Sequence, residues 1–197
     1  MTYVYQWNGF PEIISVSCPK CKGAANFIPA IYIHIPYKKD ISYFQTSPYF
    51  EYYTYHDSYG CRRHAAAFFP GLSVNNSDLI PDLPTGYPLS DWQKHRSIDV
   101  RDSAPIGSII CNRCYSRTKH LLDWPIDATY QITHKNKILW AYNRDAAISL
   151  MGFILSTDRI FRNYRYAIML RHVPKIFLAK NNRFQIYKKL KKLLSSV

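Results

Sequence analysis

The period of apolar and polar positions changes along the chain, and the changes mark its elements. Residues 13–35 read as two short apolar segments around a turn. Ile13-Ile14-Ser15-Val16-Ser17 leads into Cys18-Pro19-Lys20-Cys21-Lys22-Gly23, and β-branched and aromatic residues follow, so two short strands flank a knuckle. Residues 40–70 are unusually aromatic, with Tyr43, Phe44, Tyr49, Phe50, Tyr52, Tyr53, Tyr55, Tyr59, Phe68 and Phe69. Residues 70–106 are punctuated by Pro70, Gly71, Pro81, Pro84, Gly86, Pro88 and Pro105, a pattern of long loops. Order returns at Ile106, where a β-like segment leads into a second knuckle. Ala128–His134 and Lys137–Tyr142 then predict a β-hairpin turning at Lys135-Asn136.

Beyond Tyr142 the period becomes helical. Asn143 is a suitable N-cap for a helix over Arg144–Leu155, with Asp145 in its first turn. A second helix is expected from about Asp158 to about Arg171 on the stripe Ile160, Phe161, Tyr164, Ala167 and Ile168. Pro174 interrupts. A last helix, capped by Asn181 or Asn182 and running to about Leu194, places Tyr187, Leu190 and Leu194 opposite Lys188, Lys189, Lys191 and Lys192.

The cysteines add chemistry to this frame. Cys18-Pro-Lys-Cys21 and Cys111-Asn-Arg-Cys114 are two Cys-x-x-Cys turns, and two such turns supply the four ligands of a closed structural Zn2+ site. Four thiolates leave no open position for catalysis. The nearly 90 residues between the pairs imply a subdomain inserted into a split zinc ribbon. The expected fold is therefore α+β: residues 1–142 a split zinc-ribbon β domain with an insertion over 36–105, and residues 143–197 a basic helical tail. A thioredoxin-like redox motif needs a single pair in a βαβ setting, which is missing.

Cys61-Arg-Arg-His64, with His56 nearby, is half of a second metal site, a Cys/His catalytic pair, or a buried free thiol beside a hydrogen-bonded histidine. The third is expected, because no further cysteine remains to complete a site. The aromatic block at 43–59, interleaved with Lys38, Lys39, Arg62 and Arg63, is expected to be core; the alternative is a platform that stacks unpaired bases. HExxH, GxSxG and phosphate-loop signatures are missing. The second knuckle is similar to that of HNH endonucleases, but His34 and His95, the nearest candidates for their metal site, lack its surrounding motif. Binding rather than catalysis is the expectation.

Charge decides what kind of partner to expect. The formal net charge is +13, and it is unevenly spread: from Asp158 onward there are eleven Lys or Arg and one acid. A local basic excess attracts polyanions. Lys188, Lys189, Lys191 and Lys192, extended by Arg159, Arg162 and Arg165, are the expected nucleic-acid contacts. Apolar runs are too short for a transmembrane helix, and the first ten residues lack signal-peptide features. Reduced cysteines then fit the cytoplasm.

Three stretches carry a resemblance: Cys111-Asn-Arg-Cys114 with Lys119-His120-Leu-Leu-Asp-Trp124-Pro125-Ile-Asp127-Ala128, then Leu139-Trp140-Ala-Tyr-Asn143-Arg144, then Leu178-Ala-Lys180-Asn181. With the first knuckle, they resemble a group of bacterial zinc-ribbon proteins of no established function. The resemblance covers that knuckle and roughly the last 90 residues, and leaves out the aromatic middle. It implies a fold and a bacterial or mobile-element setting, but no activity, partner or catalytic residue. The function expected is a zinc-stabilised nucleic-acid-binding protein. A protein–protein adaptor in a larger bacterial assembly and a metal-dependent nuclease are the rivals.

Overall fold

A computed structural model describes residues 14–72, 80–92 and 105–196. The strands among them are β1 (Ile14–Ser17), β2 (Ala24–Pro29), β3 (Ile31–His34), β4 (Phe50–His56), β5 (Arg62–Phe68), β6 (Ile106–Ile110), β7 (Arg117–Leu121), β8 (Tyr130–His134) and β9 (Lys137–Ala141). The helices are α1 (Ile41–Thr46), α2 (Arg144–Leu155), α3 (Ala167–Arg171), α4 (Lys175–Leu178) and α5 (Lys180–Ser196). Hydrogen-bonded strand orders are β1-β2-β6-β7, β3-β5-β4 and β8-β9. Mixed helices and antiparallel pairs make this an α+β chain. No described helix is long and apolar enough to cross a membrane.

The described residues form two compact units. The first draws on Met1–Asn26, Cys111–Cys114 and Asp123–Val197, and the second on Phe27–Ile110 and Tyr115–Leu122. Both cysteine turns and the helical tail thus fall in the first unit.

In the first unit, the β8–β9 hairpin pairs Tyr130 with Ala141 and His134 with Lys137. Lys135 and Asn136 both adopt positive φ (49° and 59°), as the primed two-residue turn of a tight hairpin requires. The Asn143 side chain accepts a hydrogen bond from Ala146 N at 2.9 Å and so caps α2. One side of α2 buries Ala146, Ala147, Leu150, Phe153 and Ile154. Helix α5 buries Ile186, Leu190 and Leu194 at a spacing of four, and these join Leu139, Trp140, Leu150 and Phe177 in one core. Tyr187, expected on the apolar face, is only half-buried; Ile186 takes that place. Arg144 Nη1 donates to Leu194 O at 2.9 Å, placing a cation where the carbonyls of α5 lack partners.

The helix expected over 158–171 is not continuous. Only Ala167–Arg171 is α-helical, preceded by one 3-10 turn at Phe161–Asn163. Ser156 Oγ accepts from Arg159 N, a local alternative to the helical backbone bond, while Thr157 Oγ1 donates to Asp158 Oδ1. Arg159 adopts φ +47° and donates to Ser156 O and Leu178 O, at 3.2 and 2.7 Å. Ile160 and Ile168 of the supposed apolar stripe are about half exposed, while Met169 and Leu170 are buried instead.

In the second unit, β5 lies between β3 and β4. Its centre, Ala65–Ala67, gives room for large side chains on the flanking strands. One face supplies Ile33, Phe50, Ala66 and Phe68 to a core shared with Phe44, Tyr87 and Trp92. Asp40 is buried there and accepts a hydrogen bond from Tyr87 Oη at 3.0 Å. Burial, reinforced by that carboxylate, raises the Tyr87 phenol above its ordinary range.

Strand β6 packs at closest range through Gly107. A Cβ at this position would lie 2.3 Å from Ile28 O and 2.7 Å from the Phe27 ring. The carbonyl is backbone and cannot swing away. Gly107→Ala should therefore lower stability by about 1–3 kcal/mol through overpacking. Chemical denaturation measures this as a lower midpoint at an unchanged slope; an unaltered midpoint would contradict the packing described.

Candidate metal centre and basic surface

The two cysteine turns share a backbone feature. In the first, Cys18 N donates to Gly23 O at 2.8 Å and Lys22 N to Cys18 O at 2.9 Å, which closes the loop. Lys22, immediately after Cys21, adopts φ +59°; Tyr115, immediately after Cys114, adopts φ +56°. Long side chains rarely occupy this left-handed region, so its recurrence at matching positions marks two turns of one design. Space at Gly23 is tight: a Cβ there would meet Arg113 Cδ at 3.0 Å and Cys21 Sγ at 3.4 Å.

These turns bring the four thiols together. Cys18 Sγ lies 3.7 Å from Cys114 Sγ, and Cys21 Sγ lies 3.6 Å from Cys111 Sγ. All four sulfurs are within 4.8 Å of one another, a group that could hold a metal ion. The short distances far exceed a disulfide bond of about 2.05 Å. Cys18 and Cys111 are buried, and Cys21 and Cys114 half-buried. A backbone hydrogen bond from Gly23 favours the Cys21 thiolate, but burial and the three neighbouring thiols outweigh it and push that thiol up to about 11. A cation among the sulfurs would favour the thiolate form of Cys21. Cys111 Sγ also lies 3.9 Å from Ala24 O.

Cys61 is not the buried thiol expected; it is exposed at the tip joining β4 to β5. Asp57 organises that tip. Its Oδ1 accepts from Tyr59 N and Cys61 N, both at 2.9 Å, while Oδ2 pairs with Arg63 Nε at 2.7 Å. Arg63 first, then these amides, hold the Asp57 carboxyl below its usual range. His64 Nδ1 sits 2.5 Å from Tyr52 Oη, a hydrogen-bonded histidine as expected, and His56 is exposed. Among the described residues, no metal-competent group includes Cys61, His56 or His64. Cys61→Ser should accordingly leave metal content and melting temperature unchanged; a drop in bound metal, read by elemental analysis, would overturn this placement. His34 is exposed, with Nδ1 3.4 Å from Tyr55 Oη, and His95 lies outside the described residues.

The aromatic block is chiefly core. Phe44, Phe50, Phe68 and Phe69 are buried, and Tyr43, Tyr49, Tyr52, Tyr53 and Tyr55 are half-buried. Only Tyr59, at 89% exposure, stands free of the sheet.

The positive charge is sorted by unit. Over the ranges of the first unit there are 17 Lys or Arg against 5 acids; over those of the second, 9 against 8. The first unit thus carries almost all of the net +13. On α5, Lys188, Lys189, Lys191 and Lys192 are all exposed. Lys189 Nζ bends to the β8 backbone and donates to Thr133 O at 2.8 Å. Arg159 is engaged with the two carbonyls described above, Arg165 faces Asp145 at 3.7 Å, and Arg162 is exposed. Among these cations stands Phe184, 58% exposed, which the period of the helix alone does not single out.

Fold and site together define an α+β protein with a four-cysteine cluster competent for a metal ion and a strongly basic unit around it. No family model matches the chain, and neither a curated protein nor a solved structure matches it.

Proposed function

We propose that this chain is a zinc-stabilised nucleic-acid-binding protein of the bacterial zinc-ribbon kind that its knuckles resemble. The thiol geometry supports zinc. A tetrahedral ion with Zn–S bonds of about 2.3 Å has S···S edges of about 3.8 Å, close to the 3.6 and 3.7 Å between the paired thiols. Cys18, Cys21, Cys111 and Cys114 would hold the ion, which supplies cross-linking and no chemistry. Because the ligands must lose protons, metal affinity falls as pH falls.

The observation that carries nucleic-acid binding is the surface of α5. It has six cations, no acid and four adjacent exposed lysines, within the unit that holds the cysteines. A face that is merely solvated normally mixes signs. Lysine–phosphate contacts release counterions, so affinity for duplex DNA falls with salt by a slope of about 0.9 per phosphate. Lys188, Lys191 and Lys192 changed together to Gln should flatten that slope by roughly two to three units. The fold should persist, because all three side chains are exposed. Binding titrations at several salt concentrations make the measurement. A triple variant with the parent's affinity and slope would dismiss this face as the nucleic-acid contact.

A further inference from the structure

We infer that Phe184 is a stacking platform for an unpaired base, and that α5 prefers single-stranded to duplex nucleic acid. This rests on the proposed function and names the form of its ligand.

On a helical wheel, the buried stripe Ile186, Leu190 and Leu194 faces the core of the unit. Phe184, Tyr187, Lys188 and Lys191 follow the spacing i, i+3, i+4, i+7, so they form one strip alongside that stripe. The strip is outward: Phe184 is 58% exposed, and Lys188 and Lys191 are exposed. The Phe184 ring has two neighbours on the helix. Tyr187 lies stacked beside it, at 6.3 Å between centroids and 21° between planes, and Lys188 Nζ stands 4.6 Å from its centroid. An exposed ring beside Lys188, on a helix with six cations and no acid, is suited to an occupant both flat and anionic.

The charge on the helix selects that occupant. Among the described residues, no carboxylate pairs with Lys188, Lys191 or Lys192. Single strands combine a phosphate backbone with accessible base faces, which aromatic side chains stack irrespective of base identity. In a duplex the bases already stack on one another, and a phenyl ring on a helix surface has no face to meet. Lys189, turned away to Thr133 O, lies on the far flank and takes no part.

The test compares Phe184→Ala, Phe184→Tyr and the parent on a fluorescent single-stranded oligonucleotide, a duplex of the same length and anionic phospholipid vesicles, with melting curves for each variant. The expected result is a loss of roughly ten- to a hundred-fold in single-strand affinity for Phe184→Ala, with the salt slope kept. Phe184→Tyr should restore binding, and duplex affinity should stay put. Equal single-strand binding by Phe184→Ala and the parent overturns the inference while leaving salt-dependent nucleic-acid binding standing. Equal losses on single strand and duplex overturn it too, as does vesicle binding that depends on Phe184. A parent that binds neither nucleic acid at low salt removes both this inference and the function beneath it.

Discussion

Cys111→Ala, or Cys18→Ala, should leave the cysteine-bearing unit unfolded and the chain without bound metal. Sequence separations of 96 and 90 residues divide Cys18 from Cys114 and Cys21 from Cys111, so a bound ion cross-links the ends of a very long loop. In small zinc domains the apparent binding energy is ~10–16 kcal/mol at neutral pH, and it couples directly to folding. That equals or exceeds the ~5–15 kcal/mol by which typical domains are stable at all. Losing one ligand therefore does more than open a cavity; it leaves three crowded thiols, one of them buried, without their cation. Circular dichroism and soluble yield measure the outcome, and exhaustive chelation of the parent should reproduce it. An Ala variant that stays soluble and melts as the parent does would show that the cluster is not a structural centre.

Phe44→Ala should cost about 3–5 kcal/mol, as expected for truncating a fully buried aromatic side chain. Phe44 is fully buried, with Tyr43, Phe50 and Tyr87 at centroid distances of 5.2, 5.0 and 5.0 Å. Edge-to-face contacts of this kind add to the area they bury. Tyr59→Ala, by contrast, should stay within about half a kcal/mol of the parent, because surface changes away from special features do little. Denaturant unfolding of the two variants separates a packed aromatic core from a binding platform. If Phe44→Ala were as stable as the parent and instead lost single-strand binding, the aromatic block would be the platform and not the core.

What the chain revealed before folding follows from how local each signal is. The two cysteine turns were legible because a short loop needs particular residues: Pro19, Gly23 and paired cysteines at fixed spacing. The β8–β9 hairpin and the start of α2 were legible for the same reason, through Lys135-Asn136 and Asn143. The broken segment after α2 was not. Its apolar spacing is helical, yet the Ser156 hydroxyl takes the Arg159 backbone N–H locally, and the Arg159 side chain bonds the carbonyl of Leu178, 19 residues away. Period cannot report a partner so distant in sequence. Cys61 was misplaced for a similar reason. A cysteine is buried more often than not, but the Asp57 cap and Gly60 at φ +77° make its surroundings a hairpin tip. Ile186 rather than Tyr187 completes the buried stripe of α5, a shift of one position that leaves Phe184 exposed and Tyr187 half-buried.

Most direct is the metal content of the purified chain, measured by elemental analysis alongside a thiol count. One zinc per chain is expected, lost from variants of Cys18, Cys21, Cys111 or Cys114 and kept in Cys61→Ser. A folded chain without zinc, or one whose four clustered cysteines are recovered as disulfides, would contradict it.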